Sequence, residues 1–315
     1  MTLLLVDGKN SLYRFGYGMP KLRSNNGVLT GAVHGFLQML LRLKKKYPDG
    51  RFIIAWDGTG YRNLGWRRQI FPGYKDNRGS SNAPPHLRAS LPNQEARIKD
   101  ICQLLGITQT ALDEVEADDI IGVLAAKYAK DYSPVIYSTD KDFIQLMPLG
   151  VTVIRDTGTK RMKPENLDSV MSLFRCAPKD VLKVRAIVGD KSDNIPGAVR
   201  GVAGVGAAKL IAAGADPTNE NCKVGKAWNR DAWVTVHKNY RIMRILQSTS
   251  DFELNPEQRT SLEREVVRID AHLYGKIKVE RTQNHFRAFL RKLADLDLQE
   301  AIESRQELWA INTEK

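Results

Sequence analysis

The sequence of 315 residues is short of cysteine, of long apolar runs and of acid, and each shortage excludes something. Its three cysteines, Cys102, Cys176 and Cys222, lie far apart and form no CxxC pair. That spacing supports neither a disulfide framework nor a thiolate zinc site, and it fits a reducing cytosol. No apolar stretch approaches membrane-spanning length, so no membrane partner is expected. Met1 to Val6 lacks the basic lead and apolar body of a secretory signal and reads as a buried first strand. Internal repeats and low-complexity tracts are missing as well. The 36 acidic residues face 48 basic ones, a net charge of +12. Such a balance implies an anionic partner, with nucleic acid the leading candidate and a merely soluble basic enzyme the plain alternative.

The scarce acids are concentrated at particular places. Four short apolar runs lead into aspartates: Leu3–Val6 into Asp7, Phe52–Trp56 into Asp57, Val135–Tyr137 into Asp140 and Asp142, and Ala186–Val188 into Asp190 and Asp193. Glu116, Asp118 and Asp119 stand at the head of a helical pattern whose buried stripe is Ile120, Ile121, Leu124 and Tyr128. Open α/β sheets gather ligands beyond the carboxyl ends of their strands, so these nine acids should converge on one crevice. Like charges so crowded require divalent cations. Hard cations take oxygen ligands, and two of them about 4 Å apart can generate a nucleophile and stabilise the leaving oxygen of a phosphodiester. Taken singly, each cluster is explained by helix capping or turn formation. Five together, all at element boundaries, are not.

Residues 1–155 alternate strand-like runs with helical periods, which predicts a mostly parallel, twisted sheet flanked by helices. A helix is expected over Ala32–Leu43, and another within Leu87–Leu105 starting at Pro92-Asn93. Gly58 to Pro92, rich in Arg, Gly, Asn, Ser and Pro, should be exposed and mobile. Within it Tyr74, Lys75 and Arg78, with Arg67 and Arg68 upstream, place an aromatic among cations. Such a group can clamp a phosphate and stack on an unpaired base, or simply form a solvated loop. Residues 178–213 read as helix, glycine-rich turn, helix. The amides at Gly204 and Gly206, with Lys209 one turn on, can contact a phosphate backbone, or the turn can merely join two packed helices. Phe286, Phe289, Leu290, Leu293, Leu296 and Leu298 form an amphipathic segment near the end.

In order, Asp7, Asp57-Gly58, Arg67, Tyr74-Lys75-x-x-Arg78, Glu116-x-Asp118-Asp119, Asp140-x-Asp142 and Gly189-Asp190-x-Ser192-Asp193-Asn194-x-Pro196-Gly197, then a glycine turn, resemble the 5′-nucleases. That family includes phage flap endonucleases and the 5′→3′ exonuclease domain of bacterial DNA polymerase I. The similarity runs through about residues 1–215. It implies a PIN-like α/β core over residues 1–175 with an arch region at about 60–92. A helical region over 176–315 follows, with a helix–three-turn–helix motif at about 186–211.

The resemblance also implies a two-metal-ion mechanism with Mg²⁺ or Mn²⁺ held by the nine acids, K⁺ at the helix–three-turn–helix, and Lys75 and Arg78 as catalytic cations. One ion falls to Asp7, Asp57, Glu116 and Asp118, the other to Asp140, Asp142, Asp190 and Asp193, with Asp119 bridging or acting through water. Arg67, Tyr74, Gly204, Gly206 and Lys209 are expected on DNA. The expected substrates are branched, nicked or 5′-flap DNA and RNA primers on DNA, cut to leave a 5′-phosphate and a 3′-hydroxyl. A replication polymerase or single-strand-binding protein is the expected partner. Gly79-Ser80-Ser81 and Pro84-Pro85 argue against a long continuous arch helix, and the absence of a polymerase region predicts a free-standing nuclease. Competing readings are a PIN-type single-strand ribonuclease, a catalytically weak branched-DNA-binding accessory protein, and a nucleotide-binding regulator built on the glycine turn.

Overall fold

The computed structural model describes residues 1–79, 83–156, 162–222, 224, 228–274, 282–298 and 305–312. Among them five strands form one parallel sheet: β1 (Thr2–Asp7), β2 (Arg51–Ala55), β3 (Thr108–Thr110), β4 (Ser133–Tyr137) and β5 (Thr152–Ile154), in the order β3-β2-β1-β4-β5. Side chains alternate across a strand, so Leu4, Val6, Phe52, Ile54, Val135 and Tyr137 enter one apolar layer. Leu3, Leu5, Ile53, Ala55 and Ile136 enter the other. Both faces are covered, as an all-parallel sheet requires.

Helices α1 (Gly8–Gly18) and α2 (Gly31–Lys46) cover the Leu4 face. After the short α3 (Tyr61–Leu64) and α4 (Trp66–Ile70), α5 (Pro85–Leu104) joins that layer. On the Leu3 face lies α6 (Ala117–Tyr128). A third cluster is built by α7 (Leu167–Phe174), α8 (Val181–Val188), α9 (Gly204–Ala212) and α10 (Arg230–Met243). The chain then returns: α11 (Pro256–Leu273) packs with α6. Finally α12 (Gln283–Ala294) and α13 (Arg305–Trp309) bury Phe289, Leu293 and Leu308 in the layer of α2 and α5.

Three local expectations are revised. The third helix of the Leu4 layer starts at Pro85 rather than Pro92, because Leu87 and Leu91 are buried on the core and hold the helix through Pro92. Ala186–Val188 closes α8, in keeping with the helix read ahead of the glycine-rich turn. The stretch after Gly58 is not wholly exposed, since Trp66, Arg67, Tyr74 and Leu87 are buried within it. The C-terminal helices are not a separate region, because α12 and α13 complete the N-terminal core. Ser80 and Ser81, within the expected arch, lie outside the described residues. Among the described residues, no helix is long and apolar enough to cross a membrane.

Candidate active site

β1 sits between β2 and β4, where the strand order turns back, and the crevice beyond its carboxyl end is the natural ligand position. Asp7 closes β1 and caps α1, accepting the Asn10 amide at 3.0 Å and the Ser138 hydroxyl at 2.9 Å. Asn10 in turn accepts the backbone N–H and hydroxyl of Thr139, at 2.9 and 2.8 Å. This ties α1 to the loop that carries Asp140. Asp57 follows β2 and accepts the amide of Ala117, the first residue of α6, at 3.0 Å. Gly58 allows that junction: a Cβ there would lie 1.6 Å from the Leu112 carbonyl oxygen. Glu116 is the N-cap of α6, Asp118 lies in its first turn, and Asp140 accepts the Asp142 amide at 2.8 Å.

Asp7, Asp57, Glu116, Asp118, Asp140, Asp142 and Asp193 therefore line one cleft of about 260 Å³. Seven of the nine expected acids are brought together. Asp190 and Asp119 are not. Asp190 stands behind the cleft, accepting the amide and hydroxyl of Ser192 and, at 2.5 Å, Arg185 Nη2. Asp119 is fully buried; its oxygens accept Trp66 Nε1, the Leu246 amide and two guanidinium nitrogens of Arg67. Arg67 is buried too and donates further to the carbonyls of Ile242 and Arg244. These two residues neutralise each other inside the fold, which removes Asp119 from the ligand set and Arg67 from the DNA contacts in this conformation. Tyr74, expected to stack on a base, is instead packed with Ile195, Ile242 and Met243.

The electrostatics show what the cleft lacks. Burial, and then Asp57 and Asp140, push Asp7 up to about 7. Burial and Asp140 push Asp142 up to about 7. Exclusion of water, then Asp140 and Asp7, raise Asp118 well above the usual carboxylate range. Asp140 contributes to all three shifts. Carboxylates raised in this way are short of positive charge.

Cations of the chain answer part of that shortage. Lys75 Nζ lies 2.5 Å from Glu116 Oε2, and Arg78 pairs with Asp193. Burial alone would raise Glu116, but Lys75 and then Arg67 hold it below its ordinary range. Lys75 has a φ of 59°, a left-handed backbone that costs on the order of 1–3 kcal/mol for a side chain with a Cβ. Its amide donates to the Asp193 carbonyl at 2.9 Å, and Asn194 Nδ2 to the Gly73 carbonyl at 2.8 Å. The segment carrying Tyr74, Lys75 and Arg78 is thus strapped to the Asp190–Asn194 turn. That turn depends on Gly189, with φ +77° and room for no Cβ, which would meet the Ile195 carbonyl oxygen at 2.5 Å.

Arg185 was not legible as a functional residue. Its Nη2 is 2.5 Å from Asp190 and 2.7 Å from Asp142 Oδ1, but only the Asp190 contact is a hydrogen bond. Asp142 Oδ1 is left a buried oxygen without a hydrogen bond, the kind of atom a cation satisfies. The clue in the sequence is a lone arginine inside the apolar run Val184–Val188, which must find an acid when buried. Asn10, Ser138, Tyr61 and Arg62 were missed also; polar residues of these types carry no signal without the fold. Outside the cleft, Gly204 begins α9, Gly206 lies in its first turn and Lys209 is exposed on it.

The donor set fits hard divalent cations: all seven carboxylates offer oxygen, and Asp142 has an oxygen to spare. Among the described residues no three His, Cys, Asp or Glu side chains are already grouped to hold one metal ion. Glu116, Asp193 and Asp142 are instead paired with Lys75, Arg78 and Arg185.

The family described as 5′-3′ exonuclease, N-terminal resolvase-like domain, matches residues 2–172. The chain belongs to that family. Over 205 residues it is 38% identical to DNA polymerase I of Pseudomonas aeruginosa, covering 65% of this chain and 21% of the polymerase. Over 197 residues it is 35% identical to the 5′-3′ exonuclease of Aquifex aeolicus, covering 62% of this chain and 64% of that protein. The chain thus spans less than two thirds of either relative. Its fold is similar to that of the zinc-bound T5 5′-exonuclease, with a TM-score of 0.70 at 19% identity, over 85% of this chain and 99% of the other. Flap endonuclease-1 from Methanococcus jannaschii gives a TM-score of 0.60 at 17% identity, over 98% of this chain and 92% of that one. The likeness of fold therefore reaches past residue 172 into the helical region.

Proposed function

We propose that this chain is a structure-specific 5′-nuclease that hydrolyses DNA phosphodiesters at 5′ ends and flaps during replication or repair. One observation carries the reading: seven carboxylates line a cleft from which Lys75 and Arg78 also project, within a member of the 5′-3′ exonuclease family. Asp7, Asp57, Glu116 and Asp118 would hold one divalent cation, Mg²⁺ or Mn²⁺, and Asp142 and Asp193 a second, with Asp140 shared. Asp190 acts behind them through Arg185. When bound, such ions supply a water of lowered pKa and neutralise charge on the leaving oxygen.

The chain's own residues do the rest. Lys75 and Arg78 stabilise charge building on the scissile phosphate once they leave Glu116 and Asp193. The α9 amides and Lys209 grip the backbone of the adjoining duplex, with K⁺ the monovalent ion expected there. RNA primers on DNA are included among the substrates, a replication polymerase or single-strand-binding protein is the natural partner, and the cytosol is the site of action.

Cleavage of a labelled double-flap DNA in Mg²⁺, with an EDTA control and the Asp140→Asn variant, tests this reading. Metal-dependent release of a flap-length oligonucleotide, lost in the variant, is expected. Tight binding without cleavage in Mg²⁺ and Mn²⁺ would make the protein a junction binder, and cleavage of single-stranded RNA alone would make it a ribonuclease.

A further inference from the structure

The cleft is lined by five cationic side chains, and four of them are already matched by acids. Lys9 pairs with Glu95 at 2.6 Å, Arg67 with Asp119 at 2.7 Å, Lys75 with Glu116 at 2.5 Å, and Arg78 with Asp193. Arg62 is different. Among the described residues it has no carboxylate partner, and its one side-chain hydrogen bond runs from Nε to the Tyr61 hydroxyl, at 3.0 Å.

We propose that Arg62 is a phosphate-positioning residue that takes a phosphodiester of the cleaved strand beside the scissile one, with Tyr61 as its platform. The guanidinium lies over the Tyr61 ring, 5.7 Å from its centroid, and Lys75 Nζ is 5.8 Å from the same centroid. One aromatic ring is therefore approached both by Arg62 and by the lysine that serves the reacting phosphate. Because Nε is held by Tyr61, the two Nη groups remain for a planar, two-point grip on phosphate oxygens, the geometry that suits arginine. Arg62 and Arg78 both line the cleft, and Arg78 repels the Arg62 charge. An anion placed between two guanidinium groups relieves that repulsion, whereas a neutral group does not. Burial and Asp57 push the Tyr61 hydroxyl up to about 12, so it keeps its proton and accepts from Arg62 with that proton still available to the same phosphate.

This inference rests on the nuclease reading, and its test separates the two. Single-turnover cleavage of a flap DNA in Mg²⁺ is compared for wild type, Arg62→Ala, Arg62→Lys and Tyr61→Phe. The substrates are all-phosphate DNA and a set in which each linkage flanking the cut is replaced in turn by a neutral methylphosphonate. On all-phosphate DNA, Arg62→Ala should lose about ten- to a hundredfold in rate at limiting enzyme, the worth of one charge-assisted contact. Lysine should restore part of the loss, Tyr61→Phe should show a smaller loss of the same kind, and the melting temperature should not move. At one neutral linkage, wild type should fall to the level of Arg62→Ala while the variant loses nothing further. Equal rates for wild type and Arg62→Ala on charged DNA, or a defect that multiplies undiminished at every neutral linkage, would overturn the assignment and leave the nuclease reading intact. No cleavage by wild type would remove both.

Discussion

Lys75 Nζ stands 2.5 Å from a Glu116 oxygen, with both side chains almost wholly buried. A lysine so placed can turn to a phosphate only by giving up Glu116, whose charge then needs another cation. Lys75→Ala should therefore slow cleavage at saturating DNA by about a hundred- to a thousandfold, the usual loss for one group that stabilises transition-state charge. The dissociation constant should change little, since a contact made in the transition state appears in the rate. Equal rates for wild type and variant at saturation would take Lys75 out of the mechanism.

Arg67 and Asp119 predict the opposite pattern. They form a bidentate pair with side chains only 5% and 0% exposed, so removing either member strands a buried charge. Arg67→Ala should destabilise the fold by about 3–5 kcal/mol, read as a lower urea midpoint. The double variant Arg67→Met/Asp119→Leu should recover much of that loss, because two apolar groups leave no unmatched charge. A variant that keeps its stability yet binds DNA weakly would restore Arg67 to the interface.

How far the sequence foretells this site follows from the period of its elements. Strand alternation made Leu3–Val6 and Phe52–Trp56 legible, and with them the carboxyl ends where Asp7 and Asp57 sit. Glu116 and Asp118 were legible because acids open helices. The same rule misled for Asp119: one residue further along α6 the side chain turns to the core, and only the position of Arg67, 52 residues away in sequence, reveals its partner. Tyr74 and Lys75 are adjacent and both line the cleft, yet Tyr74 also packs with Ile195, Ile242 and Met243 while Lys75, on a left-handed backbone, pairs with Glu116. Helix phase and backbone handedness at single residues are tertiary facts, and spacing alone does not carry them.

The acids themselves set a pH dependence. In metal-free protein Asp7 and Asp142 are raised from 3.8 to about 7, so between those values the folded state holds protons that the unfolded state has released. Stability must then fall as pH rises through that interval. Asp190 runs the other way: lowered to about 2 against burial by Ser192 and Arg185, it adds stability that is lost as pH drops from about 4 towards 2. Melting curves in EDTA should therefore show a maximum near pH 4–5 from these groups, with a decline towards pH 7. Millimolar Mg²⁺ should remove the decline, and Asp7→Asn should flatten it without metal. A melting temperature that rises steadily from pH 5 to 7 in EDTA in both proteins would show that the carboxylates are not crowded as described.

Lys209 tests the duplex contact separately from the chemistry. It is exposed on α9, one turn beyond Gly204 and Gly206, and makes no ion pair among the described residues. A contact of this kind meets phosphate and not bases, so binding should be indifferent to sequence and weakened by salt through release of counterions. Lys209→Ala should reduce the slope of log Kd against log salt by about 0.9, the share of one duplex phosphate, and raise Kd equally for unrelated sequences. Its cleavage defect should shrink as DNA approaches saturation, whereas that of Lys75→Ala should persist. If the Lys209→Ala slope matches wild type, α9 does not carry the duplex, and the backbone contact must be sought elsewhere on this basic surface.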